Sequence, residues 1–329
     1  MKKIISFALC FIMPFVFCGC SFGSVFTAES AGYTATAIGF EQSGNLIKVI
    51  LEAVTVNSED ADADIKTEIL TGEGKTVKEA MEQIHKKTAK PLRLAHIGIA
   101  AVSYGISDER FFEIKKFCYD IDKITLAMLW VSTDSAEKLL SCAPVSSIAV
   151  GYDIMSMQKE QTNRTGTEFK NRFYEIESAD QKPLNIFALP YFKVDSDKFF
   201  YDGVAVYENG TVKMKLDSEE AFFYAVAVNS QKEGTVFLDG KTQKIKSANS
   251  KFVFENNNDK AKLCVNLKTD RKDDIKKGIE KLFKKAKFFN TDILGVGNEI
   301  YRKEPKKWEK IKNNYSEIYR SMELTVEIK

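Results

Sequence analysis

A chain of 329 residues has room for roughly two domains at ~150 residues each, and it can bury a core without help from metals or disulfides. With 44% hydrophobic residues, 29% charged residues and 6 Pro, it is not a disordered, collagen-like or disulfide-dense protein. Lys+Arg 48 against Asp+Glu 46 lacks the basic excess of a nucleic-acid binder, so no nucleic-acid partner is expected.

The first residues carry the strongest local signal. Lys2-Lys3 precedes an uncharged apolar run, Ile4 to Val16, then Phe17-Cys18-Gly19-Cys20 and small polar residues. This is the layout of a bacterial secretory signal. Gly19-Cys20 resembles the core of a lipobox, in which the Cys is diacylated and becomes the new N-terminus. The expectation is a signal peptide over residues 1–19 and lipidation of Cys20. The competing reading is an uncleaved anchor helix, because the uncharged run from Ile4 to Ala28 is long enough to span a bilayer. Both leave Lys2 and Lys3 inside and the rest of the chain outside the cytoplasm. They are also the only charges before Glu29, so their loss makes the basic and acidic residues equal in number. Cys118, Cys142 and Cys264 then remain, with no C-x-x-C spacing. They read as buried free thiols, with a Cys118–Cys142 bridge as the alternative.

From Ala31 the chain alternates small and β-forming residues, and Ser43-Gly44-Asn45 turns it into Leu46 to Val56, which predicts a two-stranded hairpin. Ser58 to Asp64 is acidic and reads as an exposed loop. Thr76 with Glu79 forms a capping-box pattern, and Val77, Ala80, Met81 and Ile84 form the apolar stripe of the helix that follows, which Pro91 ends. Leu92 to Val102 reads as a buried strand, Asp108 to Cys118 as a helix, Ile124 to Val131 as a strand and Asp134 to Leu140 as a short helix. Met157 to Thr167 is a polar break, followed by a short helix from Glu168 and a second break at Gln181-Lys182-Pro183, where a domain boundary is expected. Beyond it, short strands are expected at 186–194, 199–207, 211–216, 234–238, 250–254 and 263–267, with Asn209-Gly210 as a tight hairpin turn. Asp270 to Phe289 is the longest helix, with Ile275, Ile279, Leu282, Phe283 and Ala286 on its core face. Leu324 to Ile328 is the last strand. Strand–helix alternation early and strands around a long helix later give an α+β class.

Little in the chain carries chemistry. His85 sits on the lysine-rich side of its helix and reads as solvated, while His96 lies in an apolar run and reads as a core histidine. Two histidines without partners at ligand spacing do not make a metal site. Glu52, Glu59, Asp60, Asp62 and Asp64 cluster, but they lack the Gly and terminal Glu of a calcium loop and read as a solvated surface. No nucleophile–base motif or P-loop is present, so no catalytic residue and no cofactor is expected. Gly295-Val296-Gly297 is a lone GxG, read as a tight turn at a helix boundary. Lys303, Lys306, Lys307, Lys310 and Lys312 flank Trp308 as a solvated helix face.

The ordered motifs resemble the Ger(x)C family, the lipoprotein C subunits of spore germinant receptors. The resemblance rests first on Thr291-Asp292-Ile293-Leu294-Gly295-Val296-Gly297 and Tyr301-Arg302-Lys303-Glu304-Pro305-Lys306-Lys307-Trp308. It extends to Gly74-Lys75-Thr76-Val77-Lys78-Glu79-Ala80, to His96 and the apolar run after it, and to Asp202-Gly203-Val204-Ala205-Val206-Tyr207. Tyr315 stands where a second Trp is common. The resemblance implies an elongated ectodomain of three α+β domains, with mixed or antiparallel sheets and packed helices, behind a cleaved lipoprotein signal. The division becomes 1–19 signal peptide, 20–182, 183–240 and 241–329, the last split coming from the resemblance alone. Gly295, Gly297 and Trp308 are then expected to be structural, with the glycines permitting close approach or positive φ and the indole sealing the terminal helices.

The implied function is a non-enzymatic, membrane-anchored subunit of a nutrient germinant receptor. Its partners would be the integral-membrane A and B type subunits and, through acylated Cys20, the lipid of the spore inner membrane. A solute-binding lipoprotein of an importer is the alternative. It requires two similar lobes and a hinged cleft. A cell-wall hydrolase comes third, for want of a catalytic constellation.

Overall fold

The computed structural model describes residues 32–57, 64–120, 127–238, 240–246, 248–254 and 260–329. The signal segment 1–19, Cys20, and Glu59, Asp60 and Asp62 of the acidic cluster lie outside the described residues.

The fold is α+β. Its main body is a nine-stranded sheet in the order β3-β2-β1-β5-β6-β7-β8-β9, with β4 also on β1. The strands are β1 (Tyr33–Ser43), β2 (Leu46–Asn57), β3 (Asp64–Gly74), β4 (Leu92–Arg93), β5 (Ile99–Ser103), β6 (Leu129–Thr133), β7 (Ile186–Asp195), β8 (Lys198–Glu208) and β9 (Thr211–Leu216). β1, β5, β6 and β7 are parallel neighbours, and antiparallel strands flank them on both sides. Two hairpin turns carry the positive φ that their residues favour: Gly44 at 57°, and Asn209 and Gly210 at 53° and 83°.

One face of this sheet packs α1 (Val77–Lys87), α2 (Asp108–Asp120) and α5 (Phe173–Asp180). Its core holds Phe111, Trp130, Phe173, Phe187 and Tyr207, with Trp130 stacked on Phe173 at 5.6 Å and Phe187 on Tyr207 at 5.2 Å. The opposite face packs α3 (Ala136–Leu140) and α4 (Val150–Thr165). Farther along that face, Ala188, Val204, Val206, Met214 and Leu216 join the core of the C-terminal half. That half contains α6 (Ser218–Ala227), the hairpin β10 (Gly234–Leu238) and β11 (Lys241–Ile245), and a second sheet in the order β12-β13-β14. This sheet is made of β12 (Ala248–Phe254), β13 (Lys260–Leu267) and β14 (Glu323–Ile328). Four helices complete the half: α7 (Lys272–Phe288), α8 (Val296–Lys303), α9 (Pro305–Ile311) and α10 (Tyr315–Ser321). Among the described residues, no helix is long and apolar enough to cross a membrane.

Several expectations require correction. Residues 182/183 fall in the connection between α5 and β7, yet β7 pairs with β6 through Ser132↔Tyr191, so one sheet continues across the expected boundary. Residues 240/241 fall at the turn of the β10–β11 hairpin, whose strands pair from Gly234↔Ile245 to Leu238↔Lys241. The polar break at 157–167 is the second half of α4, which buries Val150, Gly151, Asp153 and Ile154 at its start and ends on Gly166 in the left-handed region. Residues 92–102 form two strands with a turn between them, and His96 sits exposed in that turn. Apolar neighbours in sequence do not bury a residue that faces outward from a turn. Asp64 begins an edge strand, and Glu52 leaves the acidic cluster altogether: it is fully buried in β2. Its carboxylate accepts hydrogen bonds from Thr36 Oγ1 at 2.7 Å, Val150 N at 2.5 Å and Gly151 N at 2.8 Å, pinning the start of α4 to the sheet.

Candidate functional site

The segment from Thr291 to Trp308 connects the end of α7 to α9 and presses against the start of β7. Asp292 organises it. The Asp292 carboxylate is buried and accepts hydrogen bonds from Val296 N at 3.0 Å, Gly297 N at 2.7 Å and Tyr315 Oη at 2.7 Å. It therefore satisfies two backbone donors at the start of α8 that the helix itself cannot. Burial pushes its pKa up to about 6, against the downward pull of these donors.

Gly295 caps α8 with φ 72°, a conformation that costs an L side chain energy. Gly297 meets a different demand. A Cβ there would lie 2.6 Å from Leu184 Cδ1 and 2.8 Å from Tyr315 Cζ. The bare Cα lets the Tyr315 ring lie flat on the first turn. Trp308, buried to 5% exposure, packs on Tyr315 with ring centroids 5.1 Å apart, and Tyr319 continues the row against Phe283 at 5.6 Å. Asn298 then fastens the segment to the rest of the chain. Its side-chain amide accepts from Leu184 N at 3.0 Å and donates to Leu184 O at 2.9 Å. The family-like motif singles out Gly295, Gly297 and Trp308 as structural and includes Asp292 and Tyr315 without a role, while Asn298 is passed over. The signal available for Asp292 is an Asp followed by two apolar residues and a Gly, the composition of a buried helix cap.

The flanking lysines are not a uniform solvated face. Lys303 Nζ donates to Phe252 O at 2.6 Å and lies 5.6 Å over the Phe254 ring. Lys307 pairs with Glu304 at 3.4 Å, and Lys312 with Glu309 at 2.7 Å. Lys306 and Lys310 are exposed.

Elsewhere, a cleft of about 340 Å³ lies between α4 and the sheet, lined by Met155, Gln158, Phe169, Arg172, Phe192 and Tyr201 among others. Among the described residues no cluster of His, Cys, Asp and Glu is arranged to hold a metal ion. His85 is exposed, on the outer side of α1. Cys118, Cys142 and Cys264 are free thiols.

Two families of known proteins match this chain. The family described as spore germination protein N-terminal domain matches residues 33–194, the span of the sheet from β1 through β7. The family described as spore germination B3/GerAC like, C-terminal, matches residues 266–329, which include the Asp292 segment. Comparison with curated protein sequences gives no match. Among solved structures, the crystal structure of the GerBC protein shares the fold, with a TM-score of 0.51 and 13% identity. The match covers 89% of this chain and 95% of that one. With the two profiles spanning more than two thirds of its length in the expected order, the chain belongs to the Ger(x)C family of spore germination proteins.

Proposed function

We propose that the chain is the lipid-anchored, non-enzymatic C subunit of a nutrient germinant receptor, held on the outer face of the spore inner membrane by acylated Cys20. It assembles there with the integral-membrane A and B type subunits. The observation that carries this reading is the match of both family profiles to a chain whose family-like motif is spent on packing: Asp292, Gly297, Tyr315 and Trp308 face one another, away from solvent. Family membership speaks for association with a membrane, and the lipobox-like Gly19-Cys20 supplies a means for it. Two or three acyl chains hold a protein stably where a single chain binds only marginally. Tethering in two dimensions raises the effective concentration toward membrane partners without demanding a tight interface.

A solute-binding lipoprotein would be built as two similar lobes on separate sheets about a hinge. One sheet running from β3 to β9 argues against that plan. The test combines metabolic labelling with a fatty acid, fractionation of wild-type and Cys20→Ala chains, and pull-down of the anchored protein from spore membranes. Labelled wild type, unlabelled Cys20→Ala and two co-purifying membrane proteins are expected. Equal labelling of both chains sinks the anchor, and recovery of the wild-type chain without membrane partners sinks the assembly.

A further inference from the structure

Five of the seven lysines of α7 fall into two sets, with Lys272 and Lys276 exposed near its start outside both. Those on its inner flanks are engaged. Lys285 Nζ donates to Glu220 Oε2 at 2.6 Å and to Lys215 O at 3.1 Å. Lys287 Nζ donates to Met322 O at 2.7 Å and lies 5.7 Å over the Phe283 ring. Lys277, Lys281 and Lys284 stand on the opposite side from the buried Ile275, Ile279, Leu282 and Ala286. They recur at the four- and three-residue spacing that lines up one helix face, and Phe288 continues the row after another four. All three lysines are exposed. Asp273 and Glu280 sit four positions ahead of Lys277 and Lys284, a spacing that supports ion pairs, yet among the described residues none of these three lysines has a charged or hydrogen-bonded partner.

The end of the row is as unusual as its charge. Phe288 is 84% exposed, the most exposed of the large hydrophobic residues described, and it meets Phe289, 45% exposed, edge to face at 5.3 Å. A solvated helix face gains nothing from two rings in water. A patch of several cations beside exposed aromatic rings matches the layered chemistry of a bilayer surface, with phosphates outermost and the acyl boundary beneath. An acidic protein surface would satisfy the lysines and leave the rings unexplained.

We propose that this outward row of α7 is a binding face for anionic phospholipid, with Lys277, Lys281 and Lys284 on headgroup phosphates and Phe288 and Phe289 at the acyl boundary. The row from Lys277 to Phe288 is about 16 Å long, enough to meet more than one headgroup. The proposal rests on the membrane-anchored reading for its proximity to lipid, and on α7 itself for its chemistry. Each surface lysine strengthens association with an anionic bilayer about fivefold at low salt, so the three together give about a hundredfold.

The full lipidated chain carrying Phe288→Trp, reconstituted on vesicles with brominated acyl chains, provides the test. One vesicle set is pure phosphatidylcholine and the other contains one part in three phosphatidylglycerol. The native Trp130 and Trp308 are buried and give a constant background. The expected result is quenching of the new indole on phosphatidylglycerol vesicles alone, reversed by salt and abolished by adding K277Q/K281Q/K284Q, whose melting temperature should equal that of the parent. An indole that stays unquenched on phosphatidylglycerol vesicles overturns the lipid face. Quenching that survives salt and the triple substitution overturns the role of the lysines. Release of the chain from phosphatidylcholine vesicles would instead count against the anchor, and mixing with phosphatidylglycerol vesicles would still read out α7.

Discussion

Replacing Gly297 by alanine sets two effects of known sign against each other. In an open helix the change gains up to about 1 kcal/mol from backbone entropy. Here the new Cβ would lie 2.6 Å from Leu184 Cδ1 and 2.8 and 2.9 Å from two ring atoms of Tyr315. The leucine methyl can swing aside. The tyrosine ring cannot move freely, because its hydroxyl donates to Asp292 at 2.7 Å and it lies between Trp308 at 5.1 Å and Tyr319 at 6.0 Å. Overpacking of this kind costs about 1–3 kcal/mol. Displacing Tyr315 adds the loss of a hydrogen bond to a charged group, about 1.5–3 kcal/mol. The net expectation is a destabilisation of roughly 2–3 kcal/mol, allowing for partial relaxation. Urea unfolding of the mature chain measures it as a lowered midpoint with an unchanged slope. Gly295→Ala serves as the control. Nothing lies within 4 Å of its Cβ position, so only the cost of φ 72° remains, about 1–2 kcal/mol. A Gly297→Ala chain that matches or exceeds wild-type stability would refute the close packing of α8 on Tyr315.

Three further outcomes are expected. Trp308→Ala should cost about 3–5 kcal/mol and lower the melting temperature of the mature chain; unchanged melting with lost germination would place the indole on a partner surface instead. Asp292, raised from 3.8 to about 6 by burial, binds its proton more tightly folded than unfolded. Its contribution is therefore fully present below pH 4 and lost as pH rises through 6, so wild type should gain up to roughly 3 kcal/mol on Asp292→Asn between pH 7 and 4. Parallel stability curves for the two chains would disprove it. Burial pushes the thiols of Cys118 and Cys142 up, so of the three described cysteines a thiol reagent should reach Cys264 first in the folded chain, and all three of them after unfolding without reductant. Fewer than three thiols after unfolding would reveal a disulfide.

What the sequence discloses depends on whether a segment packs on one side. The stripes Val77, Ala80, Met81, Ile84 and Ile275, Ile279, Leu282, Phe283, Ala286 are legible, and every one of these residues is buried. Thr76 caps α1 as expected, accepting from Glu79 N at 3.1 Å, although Glu79 reaches back to Lys75 N at 2.8 Å rather than to Thr76. α4 is illegible past Ile154, because its second half is polar on nearly every side. α6 hides for the opposite reason: Ala221 through Ala227 are all buried, so no periodicity survives, and only the capping box of Asp217 and Glu220 marks its start. β3 and β11 are edge strands whose charges mask the alternation. The continuity of the sheet across residue 183 depends on a pairing between β6 and β7 that no local pattern encodes. In the Asp292 segment the glycines are visible as residues, whereas their reasons, a left-handed cap and a flat tyrosine, exist only once the helices meet.

The position of β1 has a mechanical consequence. The described residues open with β1, a strand bonded on both sides, antiparallel to β2 and parallel to β4 and β5. Inter-strand hydrogen bonds run across the strand direction, so a pull along the strand loads the two ladders together in shear. An edge strand such as β9 would meet the same pull with one ladder. Tension applied at Tyr33 is thus met by two ladders at once. Deformation is diverted to elements bonded on one side only, among them β14 and the β10–β11 hairpin.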